Sequence, residues 1–139
     1  MALTPEEILR TCRRWAVVGV SAKPERDSHR VANFLKERGY EVYPVNPRLD
    51  SWEGQPAYPD LASIPGPVDV VDLFRRPDDV PVHVDEAIEM GAKVVWMQLG
   101  ISHAEAAARA EKAGLTVIQN RCPVIETRRL WPEDDGPRF

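Results

Sequence analysis

The chain has 139 residues, of which 43% are hydrophobic and 29% charged, enough to bury the core of one ordinary domain. Its net charge of -4 argues against a general nucleic-acid binder or a protein of anionic membrane surfaces, since both need excess positive charge. No apolar run approaches the roughly 20 residues that span a bilayer, the N-terminus has no signal-peptide pattern, and Cys12 and Cys122 are too few for a disulfide scaffold or a cysteine zinc site. These features predict a soluble, cytoplasmic chain forming one domain over residues 1–139.

In chain order, Thr4, Pro5 and Glu7 give an N-cap with proline at the first helical position and predict a short leading helix. Trp15 to Val20 is a nearly continuous apolar run, as a strand covered on both faces should be. After the loop GVSAKPERDS, Ser28 is expected to cap a helix that carries Val31, Phe34 and Leu35 on one face. Gly39 closes that helix and YEVYPV follows as a strand. The proline-rich stretch from Pro47 to Pro67 predicts a long connection holding one short strand near Gln55 to Tyr58.

Val68 to Phe74 is the third long strand, although Asp69 and Asp72 interrupt it, as a capped turn or an interior hydrogen bond would explain. Asp78 and Asp79 then favour a helix start, with Val80, Val84 and Ile88 recurring every four residues. Gly91 precedes the strand AKVVWMQL, Ser102 and Glu105 form a capping box before AEAAARAEKA, and Gly114 precedes the strand LTVIQN. The tail from Thr127 to Phe139, charged and rich in Pro and Gly, is expected as a surface extension beyond a core of about 13–127. Alternating strands and helices predict an α/β, Rossmann-like, doubly wound fold with about five parallel strands. Arginine outnumbers lysine 14 to 4 and proline reaches 13, a usage that suits a heat-tolerant source and equally reflects genome composition.

Ligands of open parallel sheets sit beyond the carboxyl ends of the strands. There the sequence places Gly19-Val20-Ser21-Ala22-Lys23, Asn46-Pro47-Arg48, Phe74-Arg75-Arg76, Gln98-Leu99-Gly100 and Gln119-Asn120-Arg121-Cys122. Four of the five segments carry a cation, which predicts a ligand with several phosphates. The competing reading pairs those cations with loop acids such as Glu25 and Asp27. A dinucleotide site needs G-x-G-x-x-G and an acid after the second strand. Here Gly19-x-Ser21-x-Lys23 lacks the later glycines, and Arg48 stands near the acid's place, which suits NADP or coenzyme A. The missing glycines favour coenzyme A.

The loop GVSAKPERDS, the segment YPVNPR, the run VDVVDLFRRP, the segment WMQLGISHAEA and the final NRCPVIE resemble, in that order, the stand-alone CoA-binding domain family. That family is similar to the N-terminal domain of the succinyl-CoA synthetase α subunit. The resemblance implies coenzyme A bound across the strand ends. Gly19 to Lys23 would hold the pyrophosphate and Pro47 with Arg48 would lie near the adenosine phosphate. Phe74, Arg75, Gln98 and Leu99 would line the path, with Asn120 and Cys122 near the thiol. The synthetase loop is richer in glycine, and the synthetase's phosphohistidine domain and ATP-grasp partner have no counterpart here. The resemblance therefore supports binding rather than acyl-CoA synthesis.

No catalytic or metal constellation is legible. His29, His83 and His103 share no metal-ligand spacing, although His29 follows the first loop and could reach a phosphate. Cys122 lies beside Arg121, where a cation can activate a thiol for exchange with that of coenzyme A. The plainer reading is a small buried residue packing below Pro123. Three functions follow: a coenzyme A or acyl-CoA binding module without catalysis of its own, an NADP-dependent oxidoreductase, or a thiol-redox protein using Cys122. A homo-oligomer or a separate protein partner is compatible with each.

Overall fold

The computed structural model describes residues 2–134 and 136–139. Five parallel strands form one sheet: β1 (Arg14–Val18), β2 (Glu41–Val45), β5 (Val70–Leu73), β6 (Val94–Met97) and β7 (Thr116–Ile118). Their order is β2-β1-β5-β6-β7, and every neighbouring pair is parallel. Five helices flank the sheet: α1 (Pro5–Thr11), α2 (Asp27–Glu37), α3 (Val80–Met90), α4 (Ala104–Lys112) and α5 (Pro123–Leu130). The expected Rossmann-like α/β arrangement is present.

The strands read as apolar runs because both their faces are covered. On one face Ala16, Val18, Val71, Leu73 and Val95 pack with Val80 and Val84 of α3 and Ala106 and Ala110 of α4. On the other, Trp15, Val17, Val70 and Trp96 pack with Ile8 and Leu9 of α1 and Val31 and Leu35 of α2. Alternation along each strand sends successive side chains to opposite layers. Chain direction around the sheet reverses at β1, whose neighbours β2 and β5 lead outward to opposite edges. The gap beyond the ends of β1 and β5 is the switch point where such sheets bind ligands.

Several local expectations change. Thr4 caps α1 with a reciprocal capping box to Glu7, as predicted. Helix α2 begins one residue before Ser28, its N-cap Arg26 makes no side-chain bond, and Ser28 Oγ instead accepts from the Ser21 N–H at 2.9 Å. The cap of α4 is His103 rather than Ser102: its Nδ1 accepts from the Ala106 N–H at 3.1 Å. The proline-rich connection holds a two-stranded antiparallel hairpin, β3 (Ser51–Trp52) and β4 (Gln55–Pro56), and Tyr58 forms a bridge to Val45. Asp69 serves as a cap, accepting from the N–H groups of Arg13 and Arg14. Asp72 makes no interior hydrogen bond: it is fully buried and neither carboxyl oxygen meets a partner.

The tail also differs from a surface extension. Thr127 is buried in α5, Leu130 and Trp131 pack on the layer of α1 and α2, and Phe139 folds back against Tyr40. Among the described residues no helix is long and apolar enough to cross a membrane.

Candidate functional site

Two adjoining clefts open at the switch point. The smaller is lined by Gly19 and Ser21 after β1, by Arg26, Asp27 and Ser28 at the start of α2, and by Phe74 after β5. Gly19 sits here at φ +86°, and a Cβ on it would lie 2.5 Å from the Phe74 carbonyl oxygen. Only glycine lets the two chains pass this closely. The N-cap of α2 makes no side-chain hydrogen bond, and the start of the helix, with the positive end of its dipole, lies at this cleft. The loop between is held from three sides: Ser28 Oγ accepts from the Ser21 N–H, Asn46 Nδ2 donates to the Val20 carbonyl at 2.8 Å, and Trp52 Nε1 donates to the Ser21 carbonyl at 3.0 Å.

The larger cleft, about 500 Å³, shares Asp27 and Phe74 with the smaller and runs between α2 and α5. Gln98, Leu99 and Cys122 also line it, so four residues expected along a ligand path come together. The sequence reading missed the rest: Arg30, Val31 and Phe34 of α2, Ile101 after β6, and Val124, Ile125 and Arg128 of α5. The apolar spacing of α2 marked Val31 and Phe34 as buried, but nothing marked them as facing a ligand. Helix α5 straddles the start of the tail expected from Thr127, and no helix was expected there.

The other expected residues lie outside both linings. Val20 is fully buried, Ala22 and Lys23 are exposed, and the Lys23 N–H donates to Ser21 Oγ. Asn46 accepts from the Arg48 N–H, which orders the Asn46-Pro47-Arg48 turn while Pro47 and Arg48 stay exposed. Arg75 pairs with Asp79 at 3.3 Å, and Arg76 approaches the same carboxylate at 3.9 Å. The Gly100 N–H donates to Asn120 Oδ1 at 2.7 Å, with Asn120 in the left-handed region at φ +56°.

His29 is buried and bonds Glu53 Oε1 at 2.7 Å, with its ring 5.1 Å from that of Trp52. Its imidazole therefore belongs to the hairpin rather than to the cleft. Cys122 is a free, half-buried thiol at the N-cap of α5. Gln98 is only 5% exposed, and its carbonyl oxygen has no partner. Among the described residues no group of three or more His, Cys, Asp or Glu is placed to hold a metal.

Sequence and overall fold are shared with known proteins. The chain is 41% identical over 117 residues to the uncharacterized protein YneT of Bacillus subtilis (strain 168), covering 84% of this chain and 87% of that one. It is 32% identical over 108 residues to the acetate–CoA ligase (ADP-forming) II subunit alpha of Pyrococcus furiosus. That match takes in 76% of this chain and only 24% of the ligase subunit. Among solved structures, a hypothetical protein from Pyrococcus horikoshii OT3 superposes with a TM-score of 0.88 at 45% identity, covering 92% of each chain. The pattern of the CoA binding domain matches residues 13–128, most of the chain, so the protein belongs to the CoA-binding domain family.

Proposed function

We propose that the protein binds coenzyme A or an acyl-CoA across the carboxyl ends of its strands and catalyses no reaction alone. The observation that carries this reading is the uncapped start of α2 beside the bare backbone of Gly19, opening into a longer cleft between α2 and α5. Backbone N–H groups at a helix N-terminus suit a pyrophosphate, and Gly19, which lines the same cleft, lets the loop after β1 pass close to Phe74. In this reading Gly19, Val20, Ser21, Ala22 and Lys23 hold the pyrophosphate with the first turn of α2. Asn46, Pro47 and Arg48 lie toward the adenosine phosphate, Phe74 and Arg75 toward the middle of the ligand, and Gln98, Leu99, Gly100, Asn120 and Cys122 toward its thiol.

Membership of the family and the similarity to an acetate–CoA ligase subunit support coenzyme A over NADP, as does the missing G-x-G-x-x-G. Calorimetric titration with coenzyme A, NADP and NAD tests it. Coenzyme A should bind, with affinity lowered in Arg48→Ala and Gly19→Ala, and NADP should be silent; NADP binding alone would sink the proposal.

A second reading rests on Cys122, a free thiol lining the same cleft. Its thiolate could attack a coenzyme A disulfide, forming a protein–coenzyme A mixed disulfide and releasing one coenzyme A thiol. Intact-protein mass spectrometry after incubation with the disulfide should show one added coenzyme A, reversed by dithiothreitol and absent in Cys122→Ser. An unshifted mass would remove this reading and leave the first in place.

A further inference from the structure

We infer that the cleft between α2 and α5 is an acyl pocket, and that the preferred ligand is a thioester of an aliphatic acid rather than free coenzyme A. This rests on the coenzyme A reading and specifies its ligand. The walls of the cleft are mainly hydrocarbon: Val31 and Phe34 from α2, Val124 and Ile125 from α5, Phe74 and Leu99 from the strand ends. Four large apolar side chains are well exposed among the described residues, and two of them, Leu99 at 58% and Ile125 at 53%, line this cleft. Exposed apolar surface gathered at a concave site marks where an apolar partner is covered, whereas scattered residues need no such account.

The charged groups of the cleft are already engaged. Arg30 pairs with Asp27, and the Arg128 guanidinium lies 5.7 Å from the centre of the Phe34 ring. A carboxylate-bearing acyl group would have to compete with those contacts, and a hydrocarbon chain would not. Continuity fixes the occupant. Phe74 and Asp27 line both clefts, so a ligand with its phosphates at the start of α2 extends past Phe74 into the apolar one. In the proposed placement the pantetheine arm runs past Phe74 and Leu99 to a thiol near Cys122, and an attached chain would go on to cover Ile125 and remove its surface from water.

The test is calorimetric titration with coenzyme A, acetyl-CoA, succinyl-CoA and octanoyl-CoA, on the natural chain, Ile125→Asp and Ile125→Leu. Because Ile125 is more than half exposed, neither substitution buries a charge in the core. Octanoyl-CoA should bind about tenfold or more tightly than acetyl-CoA, a difference of about 1.4 kcal/mol. Ile125→Asp should erase that gain and Ile125→Leu should keep it. Equal affinities for all four thioester and thiol ligands would overturn the acyl pocket while leaving coenzyme A binding intact. A preference for succinyl-CoA would also overturn it, as would a chain-length gain that survives Ile125→Asp. Silence from every ligand would overturn both readings.

Discussion

The indole N–H of Trp52 donates to the carbonyl of Ser21 at 3.0 Å, joining two segments 31 residues apart in sequence. Trp52 ends the first strand of a hairpin whose turn, Glu53-Gly54, has φ of +46° and +77°, the two positive angles that a tight two-residue turn requires. The hairpin's own sheet has only two short strands, too little to be stable alone. Its anchor is the buried Trp52 ring, together with His29 bonded to Glu53 and Lys36 Nζ donating to the Glu53 carbonyl at 2.9 Å. The hairpin thus clamps the loop that the proposed function assigns to the pyrophosphate.

Trp52→Phe keeps an aromatic ring and deletes that one donor. We expect a stability loss of roughly 2–3 kcal/mol in urea unfolding, about 1 kcal/mol for the bond and the rest for the cavity left by the smaller ring. If the loop must be held in place to receive phosphate, coenzyme A affinity should also fall by roughly fivefold in calorimetry, a loss of preorganisation. A variant that loses stability but binds coenzyme A unchanged would show that the clamp serves the fold alone.

Gly19→Ala probes the other side of the same loop. The added Cβ would meet the Phe74 carbonyl at 2.5 Å and Arg75 Cδ at 3.2 Å, and alanine resists φ of +86°. The backbone contact cannot relax by a rotamer change, so β1 and β5 must part at their ends. The expected cost is roughly 2–4 kcal/mol, from strain of the left-handed backbone plus the clash. Differential scanning calorimetry would read it as a lowered Tm, and a Tm within a degree of the natural chain's would refute the close approach.

How far the sequence carries is clearest at these strand ends. The strands were legible because parallel strands covered on both faces are unbroken apolar runs, and Gly39, Gly91 and Gly114 all take the left-handed conformation expected after a helix. The loop at Gly19 followed from strand order. What stayed hidden depends on where side chains point. Thr127 opens the tail expected at the surface, yet it is buried and donates to the Pro123 carbonyl, and the neighbouring Glu126 is 4% exposed with its carboxylate 2.9 Å from Arg129. A buried face made of hydrogen-bonded polar groups leaves no hydrophobic periodicity, so α5 and the wall it gives the larger cleft went unread. Charge counting likewise could not show that Arg75 is held by Asp79.

Asp72 gives a prediction in pH. It lies between Val17 and Trp96 in the ladder, fully buried and without a hydrogen-bond partner. Desolvation raises its pKa well above the ordinary carboxyl value, so the native chain keeps the proton that the unfolded chain releases. With more protons bound in the native state, stability falls as pH rises from the unfolded pKa toward the folded one, by about 1.4 kcal/mol per pH unit across that window. Asp72→Asn removes the titration and nearly preserves the shape. Urea unfolding at pH 5 and pH 7 should therefore show the variant gaining on the natural chain at the higher pH. A gap between the two proteins that does not change with pH would show that Asp72 is not held neutral.

The last prediction concerns the opposite end of the sheet, where the chain returns to Gly39. The Phe139 N–H donates to the Arg38 carbonyl at 2.8 Å, its ring stands edge-on to Tyr40 at 4.9 Å, and the Arg13 guanidinium lies 4.5 Å from its centre. Phe139 is 45% exposed, so these contacts rather than burial set its value, at about 1 kcal/mol for Phe139→Ala. A Cβ on Gly39 would fall 2.3 Å from the Phe139 carbonyl oxygen, besides the strain of φ +89°. Gly39→Ala should therefore cost roughly 2–4 kcal/mol. In the Phe139→Ala background the tail is free to shift aside, so the strain remains and the clash is relieved. A double-mutant cycle in urea should give a combined loss smaller than the sum of the two single losses by about 1 kcal/mol. Strict additivity would mean that Phe139 does not rest on Gly39 in solution.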